Sequence, residues 1–294
     1  MDRLVIDNLE RYRRTSPGLV PILALAECVW RVQEGFEPPP PDAPDPSIAR
    51  EALAGGQPLL SAAPAEADAP RFAAAAAALA GSLSECAEVL SETRGGFSLA
   101  AEAASGVTTE ALEAALAPAP GFSRDALVSL GAKEDGPLTF SLLGFVLSSA
   151  LTPFLSAYAR AAVEALGADP WKAWSSGCCP VCGSPAEVGC VTDEGELAGG
   201  RRKLFCAACR SEWPFERLRC ARCGTREHTR LRYLYDEADA AHRVHACDAC
   251  RSYLKVVYER DLGRKASPLV ESVVGGQLDE LAASRGLTPF VLAS

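Results

Sequence analysis

Four Cys-x-x-Cys pairs carry the chemistry of this chain: Cys179 with Cys182, Cys206 with Cys209, Cys220 with Cys223, and Cys247 with Cys250. The third pair repeats the first 41 positions later, and the fourth repeats the second at the same offset. In each half 23 residues separate the inner cysteines. Gly183 and Gly224 follow the first pair of each half; Arg210-Ser211 and Arg251-Ser252 follow the second. The pattern is a tandem duplication of one unit. A Cys-x-x-Cys turn aims two sulfurs at one ion, and a glycine after it permits the left-handed backbone such turns favour. Two turns joined by a hairpin give a tetrahedral site of four sulfurs, which suits zinc or a mononuclear iron. The repeat pairs them sequentially, Cys179, Cys182, Cys206 and Cys209 in one site and Cys220, Cys223, Cys247 and Cys250 in the other. Crossed pairings would need interleaved loops. A unit of ~40 residues buries too little apolar surface to fold alone, so the ion supplies much of its folding free energy.

The other cysteines and the histidines read differently. Cys178 adjoins a ligand, but Cys179 makes the better Cys-Pro-x-Cys-Gly knuckle. Cys190 aligns with Leu231 in the second unit and reads as a packed strand residue, while Cys28 and Cys86 read as helix core residues. His228, His242 and His245 all fall in the Cys-rich part; Leu204 aligns with His245, and all three read as non-ligands. Disulfides are the alternative for ten cysteines within 73 residues, but the spacing favours metal in an intracellular protein. A thioredoxin-like role would call for a single motif in a βαβ setting.

The elements that position these knuckles follow from the rest of the 294 residues, a length for about two domains. Residues 1–175 read as helical. "PILALAECVWRVQEGF" has near-helical apolar spacing, and "EPPPPDAPDP" at 37–46 is a Pro-rich break. The Ala-rich run 71–96 predicts a helix stopped by Gly95-Gly96; Thr108 or Thr109, and Ser123, predict caps of the next two. A long apolar helix is expected from about Pro137 to Leu166, interrupted by Pro153, and read as a buried helix and not a membrane span. No signal peptide is read at the N-terminus, where acidic residues and Pro17 and Pro21 break the pattern; a cytoplasmic location is expected. The fold class is α+β: an all-α N-terminal domain over 1–175, a first four-cysteine metal module over 176–214, a second over 215–258, and a C-terminal helix and tail over 259–294, the helix capped by Ser267 with Pro268 in its first turn.

Charge weighs on partners. The net charge is -9, which argues against a general binder of polyanions. Residues 178–258 hold 13 Lys or Arg against 11 Asp or Glu, and two divalent ions with four thiolates each turn that excess negative. The run Arg217, Arg219, Arg222, Arg226, Arg230, Arg232 keeps a nucleic-acid-binding ribbon protein open as an alternative. A four-sulfur iron site that shuttles one electron is a third reading. No Ser-His-Asp set, phosphate loop or dinucleotide fingerprint is found in the sequence.

"GCCPVCGSPAEV", "LFCAACRSEWPFERLRCARCG" and "CDACRSYLKVVY" resemble the formate dehydrogenase accessory protein family, FdhE, as do "ALTPFLSAYA", the tryptophan before the first knuckle and "PILALAEC". The resemblance implies a helical domain followed by two rubredoxin-like or zinc-ribbon modules. It implies a cytoplasmic, non-catalytic maturation factor that binds the catalytic subunit of formate dehydrogenase, a molybdenum or tungsten enzyme often bearing a twin-arginine export signal. The family's cysteines carry over to the eight named above, with iron as the implied metal and zinc a frequent occupant. No nucleic acid and no membrane are expected as partners. Two departures are Arg251, where glycine is expected after the last pair, and the extra Cys178.

Overall fold

The computed structural model describes residues 1–38, 41–86, 91–167, 169–192 and 200–290. Nine helices precede the knuckles among them: α1 Arg3–Thr15, α2 Val20–Gly35, α3 Pro46–Ala54, α4 Leu59–Ala62, α5 Ala69–Glu85, α6 Ser91–Ala104, α7 Thr109–Ala115, α8 Arg124–Ser129 and α9 Phe140–Leu166. Short polar side chains start most of them. Asp2, Asp68, Thr108, Ser123 and Thr139 each accept a hydrogen bond from the backbone N–H three residues on, and Asp45 accepts from Ser47 and Ile48.

The apolar α9 is the axis of the helical domain. Leu143, Val146, Leu147, Ala150, Leu151, Leu155, Tyr158 and Ala162 are buried along it, against α2, α5, α6 and α8. It runs through Pro153 without ending. It is long and apolar enough to cross a membrane by length and composition, but in this fold it is the core helix. The Ala-rich run differs from expectation. Its helix stops at Cys86, a second one begins at Ser91, and Gly95-Gly96 lies inside it; residues 87–90 are outside the described ones. Packing explains Gly96: a Cβ there would lie 2.1 Å from the Pro137 carbonyl oxygen, so only glycine lets α6 cross that closely.

Named strands begin at residue 188: β1 Val188–Thr192, β2 Arg201–Phe205, β3 Glu212–Pro214, β4 Leu231–Leu234, β5 His242–Cys247 and β6 Ser252–Tyr258. After these come α10 Glu259–Leu262, α11 Pro268–Val274, α12 Gly276–Ser284 and β7 Thr288–Pro289. The expected C-terminal helix is thus present but divided at Gly275, and the expected tail beyond Phe290 lies outside the described residues.

Each Cys unit is an antiparallel three-stranded ribbon, and the two ribbons share one sheet in the order β3-β2-β1-β6-β5-β4, with β7 on β6. The 41-residue offset maps β1 onto β4, β2 onto β5 and β3 onto β6. The seam is the parallel pair β1 and β6, with Val188 opposite Lys255 and Val191 opposite Tyr258. The same repeated strand therefore meets two fates. β1 is interior and its Val188, Cys190 and Val191 are buried; β4 is an edge and Arg232 and Tyr233 are exposed.

Candidate metal centre

All eight predicted cysteines come together, in two groups of four. In each group the sulfurs lie within 4.8 Å of one another. In the first, Cys179 Sγ is 3.4 Å from Cys209 Sγ, and Cys182 Sγ 3.5 Å from Cys206 Sγ. In the second, Cys220 to Cys250 and Cys223 to Cys247 are both 3.7 Å. An ion ~2.3 Å from four sulfurs would set them about 3.8 Å apart, the edge of its tetrahedron. The donor sets fit one tetrahedral ion each, paired as the repeat predicts.

Every knuckle is closed by the same turn. The residue after the second cysteine has φ +79 at Gly183, +59 at Arg210, +72 at Gly224 and +57 at Arg251. Arg251 is thus no loosening of the last turn: it takes the left-handed backbone that glycine takes elsewhere, as Arg210 does. In three knuckles the N–H of that residue donates to the carbonyl of the first cysteine, at 2.9 Å from Gly183, 2.8 Å from Arg210 and 3.1 Å from Gly224. The serine of each repeated Arg-Ser has a role that spacing alone did not reveal. Ser211 Oγ lies 3.2 Å from Cys209 Sγ, and Ser252 Oγ 3.0 Å from Cys250 Sγ. Ser184 Oγ stands 3.4 Å from Cys182 Sγ. Each hydroxyl can donate to a thiolate; recurrence of Arg-Ser at both places was the available signal.

The electrostatics call for a cation. Burial pushes the Cys179 and Cys209 thiols well up, while hydrogen bonds from Cys179, Cys206 and Cys209 hold Cys182 well down. In the second group burial pushes Cys247 up to about 12. At Cys250 burial acts the same way but is outweighed by hydrogen bonds from Ser252, Cys223 and Cys220, leaving it at about 7. Four thiolates this close cannot all be charged without a counter-ion, so binding a divalent ion displaces protons from the cluster.

The surroundings differ. Helical-domain backbone grips the first knuckle: Leu59 N–H donates to the Pro180 carbonyl at 2.9 Å, Leu60 N–H to Val181 at 3.0 Å, and Ala119 N–H to Cys182 at 2.7 Å. The indoles of Trp174 and Trp213 donate to the carbonyls of Cys178 and Ser176. All four cysteines of the first group belong to the main core and are buried; in the second, Cys223 is exposed and Cys250 half-buried.

The remaining candidates fall outside both groups. Cys178 is half-buried beside the first knuckle, and Cys190 is buried in β1 against Val257 and Ala266. His245 is half-buried, bonded to Tyr258 Oη at 2.9 Å and to Arg202 at 3.1 Å. Burial first, then the charges of Arg202, Arg243 and Arg217, hold it well below the ordinary imidazole value, so it is neutral. Buried Arg202 also donates to the carbonyls of Glu216 and Arg219, which ties β2 of the first ribbon to β5 and to the approach to the third knuckle. His242 bridges Asp239 and Glu271. Most of the arginine run is paired: Arg219 and Arg226 with Glu216, Arg230 with Glu227, Arg232 with Asp248.

These features define a class: a helical domain that carries two tetrathiolate knuckle ribbons on one shared sheet. No family model matches the chain. Among curated proteins it is 31% identical to an FdhE homolog of Pseudomonas aeruginosa, over 48% of each chain. It is 38% identical to one of Pseudomonas putida, over 45% of this chain and 43% of that one. With one of Aquifex aeolicus it shares 31%, over 52% of this chain and 51% of that one. The chain thus spans about half the length of the curated relatives it matches. The crystal structure of the FdhE protein from Pseudomonas aeruginosa superposes with a TM-score of 0.62 at 21% identity, over 98% of this chain and 94% of that one. The fold is therefore that of the FdhE protein, and the curated relatives are homologs of the family that the knuckle sequences resemble.

Proposed function

We propose that this chain is a cytoplasmic, non-catalytic maturation factor, chaperone-like in action, that binds the catalytic subunit of a formate dehydrogenase and is needed for its activity. The observation that carries the reading is the pair of closed four-sulfur groups in a chain similar to FdhE homologs. An ion held by four protein sulfurs keeps no open position for a substrate, which is the arrangement of a structural centre. Two such centres share one sheet, and its second unit offers Leu218 and Tyr233 to solvent beside the third knuckle. That face is the docking surface in this reading. The arginine run beside it is largely neutralised by Glu216, Glu227 and Asp248, which favours a protein partner over nucleic acid. The ions are iron or zinc. A red chain with the absorption of ferric tetrathiolate identifies iron, and a colourless one with stoichiometric zinc identifies zinc.

The test is affinity capture of the tagged chain from cells using formate, followed by mass spectrometry. A molybdenum- or tungsten-enzyme subunit is expected, retained by the wild type and lost on Cys220→Ala with Cys223→Ala. Full formate dehydrogenase activity in cells carrying only that double variant would overturn the proposal. Capture of nucleic-acid machinery in its place would revive the ribbon-protein alternative.

A further inference from the structure

Two cysteines outside the metal groups face each other. Cys28 lies within α2 and Cys86 ends α5, and their sulfurs are 3.2 Å apart. Nothing in the sequence pairs them, since 58 positions separate them. The packing of α2 on α5 brings them together. Cys28 is half-buried and Cys86 buried, so Cys28 is the more accessible of the pair to a reagent. Disulfide closure needs the sulfurs to approach by only about 1 Å.

We propose that Cys28 and Cys86 form a redox-modification site, a dithiol that low-molecular-weight disulfides of the glutathione class convert to an internal disulfide. The Cys28 thiolate attacks one sulfur of the reagent, forming a mixed disulfide and releasing one reduced thiol. The Cys86 thiolate then attacks Cys28 Sγ, closing the internal disulfide and releasing the second reduced thiol. Two protein thiols are oxidised, one reagent disulfide is reduced to two thiols, and the two protein protons leave with them.

The consequence reaches the first metal centre through the chain. The loop that the bond would close contains α3, α4 and α5, and α4 supplies the Leu59 and Leu60 N–H groups that grip Pro180 and Val181 of the first knuckle. Tying the two ends of that segment restricts the local opening that frees the knuckle. The oxidised chain holds its first ion more persistently than the reduced one.

The test uses the full metal-loaded chain, incubated with oxidised glutathione, alkylated and mapped by peptide mass spectrometry. A cross-linked pair of peptides bearing Cys28 and Cys86 is expected. Recovery of Cys28 only as free thiol or as mixed disulfide would overturn the proposal. In Cys86→Ser the reaction should stop at the mixed disulfide on Cys28. Release of the ion of the first group to a chelator should be severalfold slower after oxidation and return to its first rate on adding a thiol reductant, a comparison that needs no variant. Equal rates in the two states would overturn the link to the metal centre.

Discussion

The two ribbons share a sequence, a turn and a ligand set, yet the molecule treats them differently. The first is sealed into the helical domain: Cys179, Cys182, Cys206 and Cys209 lie in the same core as Leu59, Leu151, Tyr158 and Trp213. The second stands at the outer end of the sheet. Its Val244, Ala246 and Tyr253 form a small separate cluster with Ala282 and Leu287, and Cys223 is exposed. Duplication supplied two copies of one metal unit, and what each does depends on what covers it. The first acts as the floor on which the helical domain is built; the second joins that core through Leu254, Val256 and Tyr258 of β6, and its metal group faces outward.

The largest expected difference comes from removing ligands. Replacing Cys179 and Cys182 by Ala removes the first ion and leaves two buried thiols in an enlarged cavity. An ion in such a site contributes on the order of 10 kcal/mol, comparable with the whole ~5–15 kcal/mol of a domain. That variant should lose the cooperative unfolding of the helical domain along with its ion. The pair Cys220→Ala and Cys223→Ala should lose one ion and keep that transition. Metal content per chain and helical circular dichroism on heating measure both. A chelator should likewise take the ion beside exposed Cys223 first, in two resolved phases; a single phase would erase the distinction.

Next is the apolar anchor. Trp213 of the first ribbon is 1% exposed, and Trp213→Ala should cost about 3–5 kcal/mol. Leu218 of the second unit is 60% exposed, and Leu218→Ala should change stability by no more than about 0.5 kcal/mol. Urea unfolding of the metal-loaded chain compares them. A partner-binding defect in Leu218→Ala without a stability defect would locate the docking face.

The second ribbon also has a polar clasp to the helical domain, and pH should loosen it. Tyr12 of α1 donates to Glu271 of α11, and His242 of β5 lies 2.9 Å from Tyr12 Oη, 3.0 Å from Glu271 and 2.8 Å from Asp239. Burial alone would lower His242, but hydrogen bonds with and charges on Asp239 and Glu271 raise it to about 9. A folded value above the ordinary ~6.5 means the protonated ring stabilises the fold. That contribution is complete below pH ~6.5 and is lost as pH rises through about 9, at most about 3 kcal/mol. Stability should therefore fall between about pH 7 and 10, and His242→Gln should flatten the fall. An unchanged slope in that variant would show that the clasp is not the source.

Much of this contrast was out of reach of the sequence. The grouping of the eight cysteines into two sets of four was legible because a four-sulfur site fixes their spacing locally and the repeat states it twice. The caps at Thr108 and Ser123 were legible for the same local reason. The division of α5 from α6 was not, because Gly95-Gly96 reads as a stop until the close crossing at Pro137 is known. Nor was the unequal burial of Cys190 and Leu231, aligned residues set apart by lying on an interior and an edge strand. The contact of Cys28 with Cys86 depends on how α2 and α5 pack.

The smallest effect tests the comparison most finely, at Arg210 and Arg251. Both hold a left-handed backbone, φ +59 and +57, which in a residue with a Cβ costs roughly 1–2 kcal/mol. Glycine would relieve that strain equally at both. What it removes differs. Arg210 is half-buried and donates to Gln33 Oε1 of α2 at 2.6 Å, a contact between the first knuckle and the helical domain. Arg251 is exposed and donates to the carbonyls of Arg285 and Gly286. A hydrogen bond to a charged group is worth ~1.5–3 kcal/mol where it is shielded, and less where water competes. Arg210→Gly should therefore be destabilising by up to about 1 kcal/mol. Arg251→Gly should be neutral or stabilising by a few tenths of a kcal/mol, a margin within the usual scatter of surface substitutions. The sign of the difference is what matters. If both substitutions stabilise, the arginines are incidental to the turn; if only Arg251→Gly does, the first knuckle is held from the helical side and the second is not.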